Sequence, residues 1–300
     1  MNTFYRKPTR AGALFDIGNQ IFMIMFAILM IYPFLNVTAV AFNNGLDTNK
    51  GGIYIWPRMP TLANFKYALG NPDLLRGAMV SLLRTFVGTV TGVFCSALLG
   101  YIITCRNFMG RKFLRMLFII TMYFGGGLIP TYLLMLRLGF VNTFSVYWVP
   151  YLFSAYYMIL ASSYIQNLPE ALFESVRIDG GSEIRILLSF VLPLSMPMLA
   201  CIAIYSAVSH WNSWFDVNLY SKNGRWDNLQ IILYRLLNRA AAIQKLLEQQ
   251  SADASEEMRT VMPVSVRSAI TVIVTMPIIA IYPMLQKYFI SGITIGAVKG

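Results

Sequence analysis

The 300 residues are 57% hydrophobic and only 12% charged, with a positive mean hydropathy, which excludes an ordinary soluble globular domain. The net charge of +11 does not point to nucleic acid, because the basic residues are spread over short segments and form no single patch on a soluble domain. Cys95, Cys105 and Cys201 lie in or at the ends of apolar runs, too scattered for a disulfide framework or a metal site, and read as small packing residues.

In chain order, residues 1–20 are a basic lead-in with Arg6, Lys7 and Arg10. The first apolar run, about Ile21–Phe42, is long enough to cross about 30 Å of hydrocarbon at 1.5 Å per residue. It ends on Ala39-Val40-Ala41, which mimics a signal-peptidase site, yet the run exceeds the roughly 7–15 residues of a signal peptide's apolar core. An outer loop follows to residue 76, closing a 21–76 segment. The second run, Gly77–Thr104, contains Arg84, the one cation well inside a span, which either snorkels outward or faces a polar pathway. Arg106, Arg111, Lys112 and Arg115 fill the short loop after it.

The third run, Met116–Leu136, is interrupted by Phe124-Gly125-Gly126-Gly127-Leu128-Ile129-Pro130-Thr131-Tyr132. Glycine in membrane helices usually permits close helix packing, and the alternative is an unwound point on a substrate pathway. Val146–Ser163 and Leu188–Ser209 are the fourth and fifth runs, the latter carrying Pro193 and Pro197. An aromatic cluster, His210 to Asp216, then marks the outer interface, as an interfacial belt or as sugar-stacking surface. Tyr132, Trp211, Asn212 and Trp214 are the candidate substrate-pathway residues. His210, the chain's one histidine, reads as a satisfied helix-end residue.

Within an outer segment 210–267, Leu229–Gln250 has helical periodicity, with Ile232, Leu236, Ala240, Ile243, Leu246 and Leu247 on one side, and Ser251–Glu257 reads as an exposed acidic tip. The sixth run is Ser268–Phe289, before a tail at 291–300. Backbone groups in lipid must be satisfied internally, so the expectation is an all-α polytopic membrane protein with six transmembrane helices and a core domain over 77–290. The basic short loops place both termini and Arg106–Arg115 on the cytoplasmic side, and Lys287 and Lys299 agree.

The polar stretch from Leu168 to Pro197 has order of its own. Pro169 and Glu170 open a short helix, and Leu172, Phe173 and Val176 recur at helical spacing. Asp179-Gly180-Gly181 stops it, since glycine accepts the left-handed geometry of a C-terminal cap. Ser182 caps a second helix, with Glu183 at its positive end, which runs through Ile186, Leu187 and Phe190 to the prolines. The expected product is a helix-turn-helix knob exposing Leu172, Phe173 and Val176 to a partner.

This segment resembles the coupling loop of type I ABC importer permeases, whose pattern is roughly E-A-A-x-x-D-G-A followed by I-x-L-P-L-x-x-P. Here it reads Glu174-Ser175-Val176-Arg177-Ile178-Asp179-Gly180-Gly181, then Val191-Leu192-Pro193-Leu194-Ser195-Met196-Pro197, so Ser175, Val176 and Gly181 stand where the family has alanine. Pro60, Asn64 and Phe65 resemble the P-x-x-x-N-[YF] segment of sugar permeases of this type. The C-terminal run from Tyr282 to Phe289, with Gly296 to Gly300, resembles the ending of family members.

The likeness is greatest to the maltose-permease-like branch for complex oligosaccharides and polygalacturonan-type uptake. It implies a coupling loop at 168–193 built from Glu170, Ala171, Glu174, Arg177, Asp179, Gly180, Gly181 and Pro193. It implies, as partners, a second homologous permease subunit, a dimer of ATPase subunits, an extracytoplasmic solute-binding protein, membrane lipids and an oligosaccharide substrate. The chain has no G-x-x-x-x-G-K-[ST] loop, so ATP and Mg would be bound by the partner ATPase and this subunit would be non-catalytic. The rival reading is an ion-coupled secondary transporter or channel subunit. Ion coupling usually needs acids within the spans, and none of the six runs holds a clear Asp or Glu.

Overall fold

The structure, a computed structural model, describes residues 10–249 and 264–297. The basic pair Arg6 and Lys7, the Ser251–Glu257 tip and Lys299 lie outside the described residues. Every regular element among the described residues is helical; the extended backbone pairs in an isolated antiparallel bridge between Asn43 and Pro60. The chain divides into two compact units, Met1–Asn71 with Leu236–Val274, and Pro72–Arg235 with Thr275–Gly300.

In the first unit, α1 (Arg10–Ala41) begins eleven residues before the predicted run, inside the basic lead-in. From Ile21 to Leu35 its side chains are apolar and exposed on every face, a surface that only lipid or another subunit can cover. Two short helices follow, α2 (Gly45–Thr48) and α3 (Ala63–Leu69). The Pro60–Phe65 segment acts as a buckle at the end of α1. Asn64, on α3, donates from Nδ2 to the carbonyls of Ala41 and Asn43, each at 2.8 Å, and accepts from Ser265 Oγ at 3.2 Å. Phe65 packs on Phe42 with ring centroids 4.7 Å apart.

The second unit is built on α4 (Pro72–Thr104), extended by a proline at its first position. Gly77, Ser81, Gly88, Gly92, Ser96 and Gly100 fall on one buried face, a stripe of small side chains interrupted only by Arg84, on which other helices approach closely. A Cβ at Gly100 would lie 2.7 Å from Ala161 Cβ, and one at Gly88 would enter the His210 ring. Within this chain, close helix approach is made by the glycines of α4. Gly125, Gly126 and Gly127 have only open space or the Pro130 ring at 4.0 Å around them.

They break the third run instead, into α5 (Arg111–Tyr123) and α6 (Leu128–Arg137), with Gly127 at φ +81° where a side chain would be strained. The fourth run starts as two 3₁₀ turns, Phe144–Tyr147 and Val149–Tyr151, because Pro150 has no N–H to continue an α-helix. It becomes α7 (Ala155–Ile165) only after Ser154 caps it, the two parts meeting at 45°.

Beyond α8 (Glu170–Ile178) come α9 (Glu183–Ile186), a π turn over Leu187–Val191, α10 (Leu192–Leu194) and α11 (Met196–Asn212), with an 80° bend before α11. A proline two residues into the next helix leaves the preceding carbonyls without their usual partner, which is where π turns and kinks form. Last are α12 (Phe215–Tyr220), α13 (Leu229–Gln249) and α14 (Val264–Ala297). On α13 the buried positions among the described side chains are Leu229, Ile231 and Leu233, with the expected Ile232 and Leu236 half-buried; the side chains of Ala240, Ile243, Leu246 and Leu247 lie outside the description. Among the described residues, three helices are long and apolar enough to cross a membrane as continuous rods, and the two bent pairs bring the spans to five. The third run is thus two short helices on either side of the glycine interruption that its sequence carries.

Candidate functional site

The polar segment after α7 folds as the sequence predicts, as two helical arms around a glycine turn. Pro169 stands just ahead of α8 and Glu170 lies in its first turn. At the other end the Gly180 N–H reaches Arg177 O at 3.0 Å and the Gly181 N–H reaches Val176 O at 2.8 Å, with Gly180 at φ +76°. This pair of bonds closes the last turn of α8 and satisfies carbonyls a helix end would leave bare. Ser182 then caps α9, its Oγ accepting from Arg185 N at 3.3 Å.

A polar lock holds the two arms. Arg177 on α8 donates to Glu183 on α9 from Nε at 2.8 Å and from a terminal nitrogen at 3.3 Å, and Tyr101, near the end of α4, donates its hydroxyl to the same carboxylate. The Arg177 hydrogen bonds hold the Glu183 carboxyl below its ordinary range, with Tyr101 adding to them. A depressed carboxyl pKa contributes to the fold above that range, and the contribution is lost as pH falls through the folded value. Glu170 pairs with Arg106 at 2.9 Å, tying the start of α8 to the loop after α4.

The apolar residues of the knob divide differently from expectation. Phe173 and Val176 are 8% exposed and join a core cluster with Tyr101, Ile165 and Ile186, because α8 lies with that face against the unit. Leu172 is partly exposed, while Ile178 and Ile184, on either side of the glycine turn, are 84% and 69% exposed. Ala171, Glu174, Asp179 and Pro193 are exposed as well. A cavity of about 870 Å³ lies beside the loop, lined by Glu170, Glu174, Arg177, Glu183, Arg106 and Tyr101 among others.

Gly181 carries a specific steric requirement. A Cβ there would lie 2.5 Å from Val176 Cγ1 and 2.8 Å from the Val176 carbonyl. The two positions thus depart from the alanine pattern together, one side chain larger and the other smaller. We expect Gly181→Ala to lower thermal stability in detergent by about 1–3 kcal/mol, the usual cost of overpacking, and Val176→Ala to return part of that loss in the double variant. Strictly additive single and double effects would show that the two positions do not share the space.

A second polar assembly lies deep in the same unit. Arg84 on α4 and Asp216 on α12 are 1% and 5% exposed and form a two-pronged ion pair, one of whose bonds measures 3.1 Å. Asp216 also accepts from Ser213 Oγ at 2.7 Å, from Val217 N at 2.8 Å and from the Tyr151 hydroxyl at 3.5 Å. The guanidinium stands over the Tyr147 ring at 5.1 Å, and the His210 ring meets Tyr151 edge-on. Arg84 therefore neither snorkels nor stands alone. The sequence held one signal for this: a lone cation in an apolar run requires a counter-charge, and Asp216 is the acid just past a span end.

The four candidate pathway residues are placed as follows. Tyr132 stacks on Tyr220 with centroids 5.9 Å apart, and Trp214 stacks on Tyr234 at 4.1 Å. Both border a cluster centred on Met135, Tyr147, Val217 and Ile231. Trp211 is buried, whereas Asn212 is exposed and accepts from Gln230 at 3.3 Å.

Bundled apolar helices with a two-armed polar loop between bent spans define a multi-pass transport permease. No family model matches the chain. It is 35% identical to Protein LplC of Bacillus subtilis (strain 168) over 295 residues, covering 97% of each chain. It is 30% identical to the polygalacturonan/rhamnogalacturonan transport system permease protein YtcP of the same organism over 288 residues, 96% of this chain and 99% of that one. Its fold matches a chain in the crystal structure of a bacterial ABC transporter involved in the import of the acidic polysaccharide alginate, with TM-score 0.84, 24% identity and coverage of 96% and 100%. The chain belongs to the family of ABC sugar-transport permeases and is a permease subunit of an ABC importer.

Proposed function

We propose that this subunit imports oligosaccharides, driven by partner ATPases through the loop at 168–193, with both termini and Arg106–Arg115 in the cytoplasm. One observation carries the reading. Both arms of the loop are fixed to α4 through Tyr101, Glu183 and Arg177, while Ile178, Ile184, Glu174 and Asp179 are left exposed at the tip. Such a knob transmits a push as a rigid lever, because the contacts to α4 do not depend on what covers the tip. Glu170, Ala171, Glu174, Arg177, Asp179, Gly180, Gly181 and Pro193 form it. ATP and Mg belong to the ATPase dimer, which supplies the energy of the cycle.

A second, homologous permease completes the pathway, and an extracytoplasmic binding protein delivers the sugar. Tyr132, Trp211, Asn212 and Trp214 belong to the outer vestibule, where exposed Asn212 offers polar contacts and the stacked rings of Tyr132 and Trp214, with buried Trp211, shape the wall. The substrate class is supported by the sugar-polymer transport in the name of the relative YtcP.

The test is reconstitution in liposomes, this chain alone and with second permease, ATPases and binding protein. Oligosaccharide uptake is expected only from the complete set with ATP, and Arg111→Cys in intact cells should resist an impermeant thiol reagent added outside. Uptake by the chain alone on a proton or sodium gradient would establish the secondary-transporter rival, and outside labelling would invert the topology.

A further inference from the structure

A groove of about 420 Å³ opens in the second unit between the bent fourth span and the C-terminal half of α11. Its walls include Tyr151, Tyr156 and Tyr205, which are 49%, 56% and 48% exposed, and its lining also contains Ser206, Ser209 and His210. These hydroxyl and imidazole groups gather at the C-terminal end of α11, beside the segment read as the outer interface, where water and a polar ligand can reach them. Arg84 also lines the groove, and its Nε–H has no acceptor among the described residues although the residue is 1% exposed. A buried donor left unpaired costs free energy unless something that enters accepts from it.

Charge narrows the occupant. Arg84 is the one permanently charged side chain lining the groove, and Asp216 already neutralises it. An anionic ligand would meet no net positive charge here and would lose its hydration without an ion pair in return. Aromatic faces beside hydroxyl donors and acceptors suit the apolar face and hydroxyl rim of a sugar ring, and the volume falls within the roughly 300–1,000 Å³ of ligand pockets. We infer that this groove is a binding site in the translocation path for an uncharged glycosyl unit, with Tyr156 and Tyr205 as stacking faces and Arg84 Nε and Ser209 as polar contacts. The inference rests on the importer reading above and assigns a ligand-contacting role to this subunit itself.

The test uses the complete assembly in membrane vesicles, with Cys95, Cys105 and Cys201 replaced by serine and Ser209→Cys introduced. A charged, water-soluble thiosulfonate should label that cysteine, since Ser209 is exposed in the groove. Neutral trisaccharides (maltotriose, galactotriose or arabinotriose as probes) should slow labelling about five-fold, trigalacturonate should not, and Tyr156→Ala should remove the protection. Failure to label in the complete assembly would mean that a partner subunit or lipid fills the groove, and would overturn the site. So would equal protection by trigalacturonate, no protection by any neutral probe, or protection that survives Tyr156→Ala. ATP-driven uptake by the unaltered assembly is measured alongside: if it is intact while labelling fails, only the groove assignment falls, and if it is absent the importer reading itself fails.

Discussion

Asp216→Ala is expected to destabilise the second unit by about 3–5 kcal/mol, enough to leave much of the protein misfolded, because it strands the Arg84 guanidinium in a site that is 1% exposed. The loss exceeds that of one hydrogen bond. Asp216 gathers Arg84, Ser213 Oγ, Val217 N and the Tyr151 hydroxyl, so its removal leaves several donors without an acceptor. Arg84→Lys should also be harmful, since an ammonium cannot make the two-pronged contact and stacks less well over Tyr147. A cycle separates charge from packing. Arg84→Met with Asp216→Leu removes both charges at similar volume and should recover most of the stability lost in either single variant. Thermal unfolding in detergent and the yield of membrane-inserted protein measure all four. Wild-type stability in Asp216→Ala would mean that the pair is hydrated and does not hold α4 to α12.

The turn of the loop was legible in the sequence because the residues that shape it are local. Asp179-Gly180-Gly181 and Ser182 fix a stop and a start within four residues, and the observed hydrogen bonds span no more than five. The ion pair and the lock were not legible for the opposite reason. Arg84 and Asp216 are 132 residues apart, and Tyr101 and Glu183 are 82 apart, so nothing in a local window joins them. Hydropathy also measures composition and not continuity. It counts residues 116–136 as one span, whereas the three glycines end one helix and Gly127 turns the chain at positive φ.

Periodicity found the apolar face of α8 but not its direction. Phe173 and Val176 were expected to meet a partner, yet they cover Tyr101 and Ile165. The exposed apolar residues, Ile178 and Ile184, sit off that stripe at the turn, where a periodic pattern has no reason to mark them. The glycines divide by spacing as well: the run of three breaks a helix, the second of its two readings, whereas glycines spaced along α4 meet neighbouring helices on one face.

Gly180→Pro is expected to leave the protein inserted but to cut ATP-driven uptake by the complete assembly more than about ten-fold. Proline fixes φ near −65°, while Gly180 stands at +76°, so the turn cannot keep its shape. Its N–H bond to Arg177 O is also lost, and that same Arg177 holds Glu183 and, through it, Tyr101 of α4. The damage therefore falls on the direction of α9 and on the lock, while the apolar spans that drive insertion are untouched. Gly180→Ala should lie between, because a side chain at positive φ costs roughly 1–2 kcal/mol but keeps the N–H. Glu174→Lys separates docking from folding: the residue is exposed, so stability should hold while uptake and co-purification with the ATPase both fall. Immunoblots of membranes, co-purification and uptake in proteoliposomes are read together for the three variants. Normal uptake in Gly180→Pro or in Glu174→Lys would remove this loop from the coupling path, whatever its likeness to the family pattern.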